Sequence, residues 1–255
     1  MPENTEWIQA LRRSHDRLSG LLGLLSSDEV TGPSYDDDWT IADVASHLGS
    51  QAEIFDLFLD AGLAGAGAPG GDSFPPIWDR WNAMPPQEQV ASSISANESF
   101  VRRVESLSAD EQDRFSLDLF GIQADLGGLA AMRLGEHALH TWDVAVMADP
   151  TAEVPADEVA LLVDTVSLTA GRAAAPVDGA GVFAIKTTAP ERSFVVDGGA
   201  GALLEVAPAD ATTLTMPAEA FVRLVYGRLD DRHTPDTVAA PDDALDVLRT
   251  VFPGF

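Results

Sequence analysis

The segment Glu136-His137-Ala138-Leu139-His140-Thr141-Trp142-Asp143 decides how the first half of the chain is read. It lies within a stretch, 121–147, whose apolar residues recur at helical spacing, and the stretch closes on the helix stop Asp149-Pro150. On a helix, Glu136 and His140 are four residues apart and emerge on one face. Arg133 stands three residues before Glu136 and Asp143 three residues after His140, so one stripe carries four polar groups. A buried helix face is ordinarily Leu, Ala or Val, and an unpaired buried polar group costs on the order of several kcal/mol. This stripe therefore demands partners. His137 lies about 100° round the helix from Glu136 and is read as a neighbour of the stripe, not a member.

A second segment supplies one such partner. In Trp39-Thr40-Ile41-Ala42-Asp43-Val44-Ala45-Ser46-His47-Leu48, Thr40 has the character of an N-cap and Asp43 that of a short-armed capping-box partner. His47 then falls in a helix that runs to about Leu63. Two imidazoles and one carboxylate, from His47, His140 and Glu136, are the donor set of a catalytic zinc site with an open coordination position. Asp143 would orient a liganding imidazole. Each residue also has a plainer reading, since a lone helical histidine is commonly structural and a Glu-His pair at this spacing stabilises a helix. His15 and His233 have no motif around them.

Working outward, helical spacing predicts a first helix over 5–26, a third over 87–107 and the fourth over 121–147. The Gly/Ala/Pro stretch 62–76 reads as irregular, either a crossover connection or a lid. Phe74, Ile77, Trp78 and Trp81 in 62–86 either cover a site or pack the connection onto the helices. Four helices with one long connection suggest a four-helix bundle with its crossover between the second and third. After Pro155 the pattern changes to a helix over 156–174, short strands at 182–187, 193–196, 203–206 and 212–216, and helices at 217–226 and 242–251. The expected organisation is a metal-binding helical domain over 1–150, then a small α+β domain with an antiparallel sheet over 151–255.

Composition removes several classes of function. With 41 acidic and 15 basic residues, the formal net charge is −26, which argues against a nucleic-acid partner and against an anionic membrane surface. Fourteen of the basic residues are Arg and one is Lys186, a bias attributed to base composition of the genome. Cysteine is absent, so disulfides, zinc thiolates and a protein thiol nucleophile are excluded. The polar, acidic start Met1-Pro2-Glu3-Asn4-Thr5-Glu6-Trp7 is unlike a secretory signal, and no apolar run reaches the roughly 18 residues of a membrane span. A cytoplasmic location is expected, as a monomer or a homodimer. A di-iron carboxylate bundle requires Glu-x-x-His twice, whereas Glu-x-x-x-His occurs once here. The order of residues also excludes a His-Glu-x-x-His protease. Non-haem iron uses the same donor types and stays open.

The segment 39–48 resembles the W-T-x-x-D-x-x-x-H-L motif of the mycothiol-dependent maleylpyruvate isomerase family, within the DinB-like metal-binding superfamily. Glu136 to Asp143 resembles its E-x-x-x-H-x-W-D motif. Ala220-Phe221-Val222-Arg223-Leu224-Val225-Tyr226-Gly227-Arg228 resembles the helix ending in Gly-Arg of that family's sterol-carrier-like second domain. The likeness spans nearly the whole chain and is most specific in the first two motifs. It implies that His47, Glu136 and His140 bind one divalent metal, usually zinc, with mycothiol, a low-molecular-weight thiol of actinobacteria, at the open position. Trp39, Asp143 and Arg228 are implied as cofactor-binding residues, and Arg228 also as a catalytic clamp for a carboxylate. Arg228 is equally readable as a helix-terminal cation answering the dipole. The implied activity is thiolate attack on a small electrophile, by S-transfer or by cis-trans isomerisation of a maleylpyruvate type. The rival expectations are a non-catalytic small-ligand-binding module on the same fold and a thiol-independent metal hydrolase.

Overall fold

The computed structural model describes residues 3–36, 38–119, 121–241 and 243–254. Met1 and Pro2 of the stretch read as non-secretory, Asp37 of the connection before Trp39, and Asp242, the expected start of the last helix, lie outside the described residues. The chain divides into two compact units, Met1–Ala152 and Glu153–Phe255.

In the first unit the order is α1 (Asn4–Leu22), α2 (Ile41–Leu63), α3 (Pro75–Asn82), α4 (Pro86–Glu105), α5 (Ala109–Arg114), the hairpin strands β1 (Leu117–Leu119) and β2 (Ile122–Ala124), and α6 (Leu126–Ala148). The four long helices α1, α2, α4 and α6 form the bundle. α2 starts where the sequence places it, because Thr40 and Asp43 cap each other. The Asp43 carboxylate accepts from the Thr40 backbone N–H at 2.9 Å, and Thr40 Oγ1 accepts from the Asp43 N–H at 3.1 Å, a device worth about 1 kcal/mol.

Three features differ from the sequence reading. α6 begins at Leu126, capped by Asp125 through the Gly128 N–H, and part of the stretch before it is strand β2. Gly121 has φ +91°, a left-handed turn conformation that closes the hairpin and cannot continue a helix. The connection between α2 and α4 contains the helix α3, started by Pro75 and Pro76, and it joins helices that pack on each other. α1 and α2 each pack on both α4 and α6, so the steps across the bundle are α1 to α2 and α4 to α6. The expected crossover is therefore displaced by one connection in each direction.

α3 is fastened by an aromatic plug. Trp81 is 2% exposed and donates its indole N–H to Glu53 at 2.9 Å. Phe74 packs edge-on against Phe58, whereas Trp78 is 43% exposed. The Trp81 ring lies against Gly49, two residues beyond His47, where an added Cβ would stand 2.2 Å from the indole. Gly49→Val is expected to cost at least about 1–3 kcal/mol by overpacking, read as a lowered denaturation midpoint with unchanged m-value.

The second unit contains α7 (Ala156–Ala173), β3 (Val182–Thr188), β4 (Arg192–Asp197), β5 (Ala202–Leu204), β6 (Thr212–Pro217), α8 (Ala218–Val225) and α9 (Ala244–Val251). Its sheet has the order β5-β4-β3-β6. The β5-β4-β3 part is antiparallel as expected, but β6 runs parallel to β3, so the sheet is mixed. Phe183, Ile185, Val196, Leu214 and Met216 alternate onto a buried face, which α8 covers, with Phe194 stacked on Phe221 at 4.4 Å. Among the described residues no helix is long and apolar enough to cross a membrane.

Candidate metal centre

Helices α2 and α6 pack side by side and bring His47 to Glu136 and His140 across 89 residues of sequence. His47 Nε2 lies 3.3 Å from Glu136 Oε2, and His140 Nε2 lies 3.7 Å from the same oxygen. One ligand atom from each residue falls within 4.8 Å of the others, the single group with metal-holding spacing among the described residues. Ligands on a tetrahedral ion with bonds of about 2.0–2.1 Å stand roughly 3.3 Å apart. The three side chains therefore fit a divalent ion with little movement, and the set leaves a coordination position open.

The surroundings of the three side chains suit ligation. His140 directs Nδ1 at Asp143 Oδ2, 2.8 Å away. An ionised carboxylate only accepts, so Nδ1 carries a proton and Nε2 is the nitrogen that faces the cluster. Burial, with help from His140 and Arg133, lowers the pKa of His47 despite the hydrogen bond to Glu136, which favours the neutral imidazole a metal needs. Burial alone would raise the pKa of Glu136, but His47, His140 and Gln51 together outweigh it and hold the carboxyl at about 2.

Trp39 walls the histidines, stacked on His140 with ring centroids 5.8 Å apart and tilted over His47 at 5.0 Å. The loop that carries it is tied to α6 by the Tyr35 N–H, which donates to the Asp143 carbonyl at 3.0 Å. Asp143, expected beside the cofactor, is fully buried, and its carboxylate holds the His140 imidazole. Arg133 is buried as well. Burial lowers its pKa to about 10, so it stays charged at neutral pH.

Three further histidines stand apart. His137 turns to α1, where Ser14 Oγ meets its Nδ1 at 3.0 Å. His15 pairs with Glu98 and His233 with Asp230. Arg228 belongs to the second unit, follows α8, and donates to the Tyr226 carbonyl at 2.8 Å. Sequence reasoning missed Gln51, which donates to Glu136 Oε2 at 2.7 Å. Its signal was available, since Gln51 follows His47 by four residues and so shares its helix face.

A helical bundle that gathers two imidazoles and a carboxylate from two helices, with one imidazole set by a buried acid, offers a donor set that could hold a metal ion. Residues 11–145 match the mycothiol maleylpyruvate isomerase N-terminal domain family, and the chain belongs to that family. Two solved structures share the fold along almost the full length. The crystal structure of the mycothiol-dependent maleylpyruvate isomerase is 15% identical, with a TM-score of 0.67 over 94% of this chain and 96% of that one. A mutant of that enzyme is 14% identical, with a TM-score of 0.65 over 89% and 90%. Among curated proteins, none matches the sequence.

Proposed function

We propose that this protein is an enzyme that uses mycothiol as cofactor or co-substrate and acts on a small electrophile, as an S-transferase or a maleylpyruvate-type cis-trans isomerase. The observation that carries the reading is the convergence of His47, Glu136 and His140 within 4.8 Å, inside the stretch that matches the family. These three residues would hold Zn2+ or another divalent ion. Such an ion lowers the pKa of a bound thiol, so that a thiolate is available at neutral pH without a protein base.

The chain's own residues supply the rest. Asp143 keeps the His140 proton on Nδ1 and the Nε2 lone pair toward the ion. Glu136 brings one negative charge, so the centre stays about +1 with two neutral imidazoles and attracts an anionic sulfur. Trp39 encloses the imidazoles and limits water around them. Arg228 enters as a candidate carboxylate clamp on the strength of its guanidinium fork. The second unit is read as sterol-carrier-like and the first as DinB-like, and the protein as cytoplasmic with no nucleic-acid partner.

Thiol dependence tests the proposal. With maleylpyruvate as electrophile, the metal-loaded protein is expected to consume it only when mycothiol is present. Turnover without any thiol would point to metal-assisted hydrolysis, and tight binding of the small molecule without turnover to a binding module.

A further inference from the structure

Arg133 is 1% exposed and sits on α6, one turn before Glu136. Its guanidinium donates to the Leu48 carbonyl at 2.9 Å, to Asn97 Oδ1, and to Gln51 Oε1 at 2.7 Å. Its Cζ also lies 5.4 Å from the Phe55 ring centroid. Guanidinium has only donors, so Gln51 must turn its carbonyl oxygen toward Arg133. The amide nitrogen then has one direction left, and it donates to Glu136 Oε2 at 2.7 Å. That oxygen is the one shared between His47 and His140.

We infer that Gln51 is a positioning residue of the metal centre: clamped by buried Arg133, its amide fixes the Glu136 carboxylate at the two histidines. The inference rests on the metal-site reading above. Pairing alone does not account for a glutamine here, because a carboxylate at position 51 would answer a buried cation more strongly. A neutral amide has a different consequence. It satisfies Arg133 without bringing a second negative charge beside Glu136, and it converts a fixed cation into a fixed donor. Arg133 is in turn anchored from α2 and α4 through Leu48 and Asn97, so the orientation of Glu136 is set by three helices and not by its own rotamer.

The test compares the parent protein with Gln51→Leu, which keeps the volume and removes both hydrogen bonds. Zn2+ affinity is measured by competition with a chromophoric chelator, the visible absorption of the Co2+-loaded protein reports carboxylate geometry, and the metal-free Tm reports folding. Gln51→Leu is expected to bind one ion per chain with affinity reduced about 10–100-fold, the range for loss of an outer partner, and with altered Co2+ bands. Gln51→Asn keeps the amide but is one methylene too short to span Arg133 and Glu136. It is expected to show the same loss, and it carries the test if the leucine variant does not fold. Affinity within twofold of the parent and unchanged Co2+ bands in a folded variant would overturn the inference while leaving the metal site standing. A parent that takes up neither Zn2+ nor Co2+ would remove the metal reading, and this inference with it.

Discussion

His140→Ala and His47→Ala are each expected to lose the metal. The parent should carry about one equivalent of divalent ion per chain, and either variant near none, with affinity falling by more than the roughly 10–100-fold typical of an outer partner. The reason lies in the small donor set, which holds three protein ligands and no cysteine to compensate. His140→Ala should be the more severe, because it also leaves the buried Asp143 carboxylate, fully enclosed, without the imidazole it holds at 2.8 Å. Thiol-dependent turnover should fall in both variants to the rate of mycothiol alone in buffer. Elemental analysis of purified protein, beside far-ultraviolet circular dichroism to show that the bundle persists, checks the expectation. Full metal occupancy in both folded variants would falsify the assignment of these ligands.

The second large effect is on stability and belongs to the other unit. Arg223 and Glu219, four residues apart on α8, form a two-pronged ion pair, with Nε to Oε1 at 2.6 Å and Nη2 to Oε2 at 3.0 Å. Both side chains are buried. Glu219 also accepts the Val154 N–H at 3.1 Å, and Arg223 donates to the carbonyls of Arg228 and His233 at 2.9 Å each. The pair thus ties the start of the unit and the loop after α8 to one helix. Glu219→Ala removes both prongs of the ion pair from a buried guanidinium and is expected to destabilise this unit by about 3–5 kcal/mol. For a unit of this size each kcal/mol lowers Tm by about 4–8 °C, so calorimetry should show its transition displaced by well over 10 °C. A shift of only a degree or two would mean that water reaches the pair. Metal content should be unchanged, since the cluster is built from the first unit alone.

Much of this molecule is written in short-range pattern. The capping box of Thr40 and Asp43, the run of α6 through the site to Ala148, and the strands at 182–188 and 212–217 follow from residues within a few positions of one another. The same spacing placed Glu136, His140, Asp143 and Arg133 on one stripe. Where the reading fell short, the deciding residue acts at a distance or through a turn. Gly121 and its left-handed φ convert the expected start of α6 into a hairpin. Pro75 and Pro76 start a helix in a stretch whose glycines and prolines otherwise signal a loop, and the packing of Trp81 on Gly49, with its hydrogen bond to Glu53, fixes it there. The parallel pairing of β6 with β3 is invisible to alternation, which reports which face of a strand is buried and not which neighbour it takes.

By itself, then, the sequence determined the four long helices of the first unit, the polar stripe on α6, the face on which His47 sits, and the absence of any protein thiol. These are local properties, set by 3.6-residue periodicity, caps and composition. Tertiary structure decided the rest. It joined His47 to Glu136 across 89 residues, placed the steps across the bundle at α1 to α2 and α4 to α6, and buried Arg133 where Gln51 hydrogen-bonds both its guanidinium and Glu136. Such pairings depend on which helix faces meet. That choice is made by the packing of the whole core, and no single segment contains it.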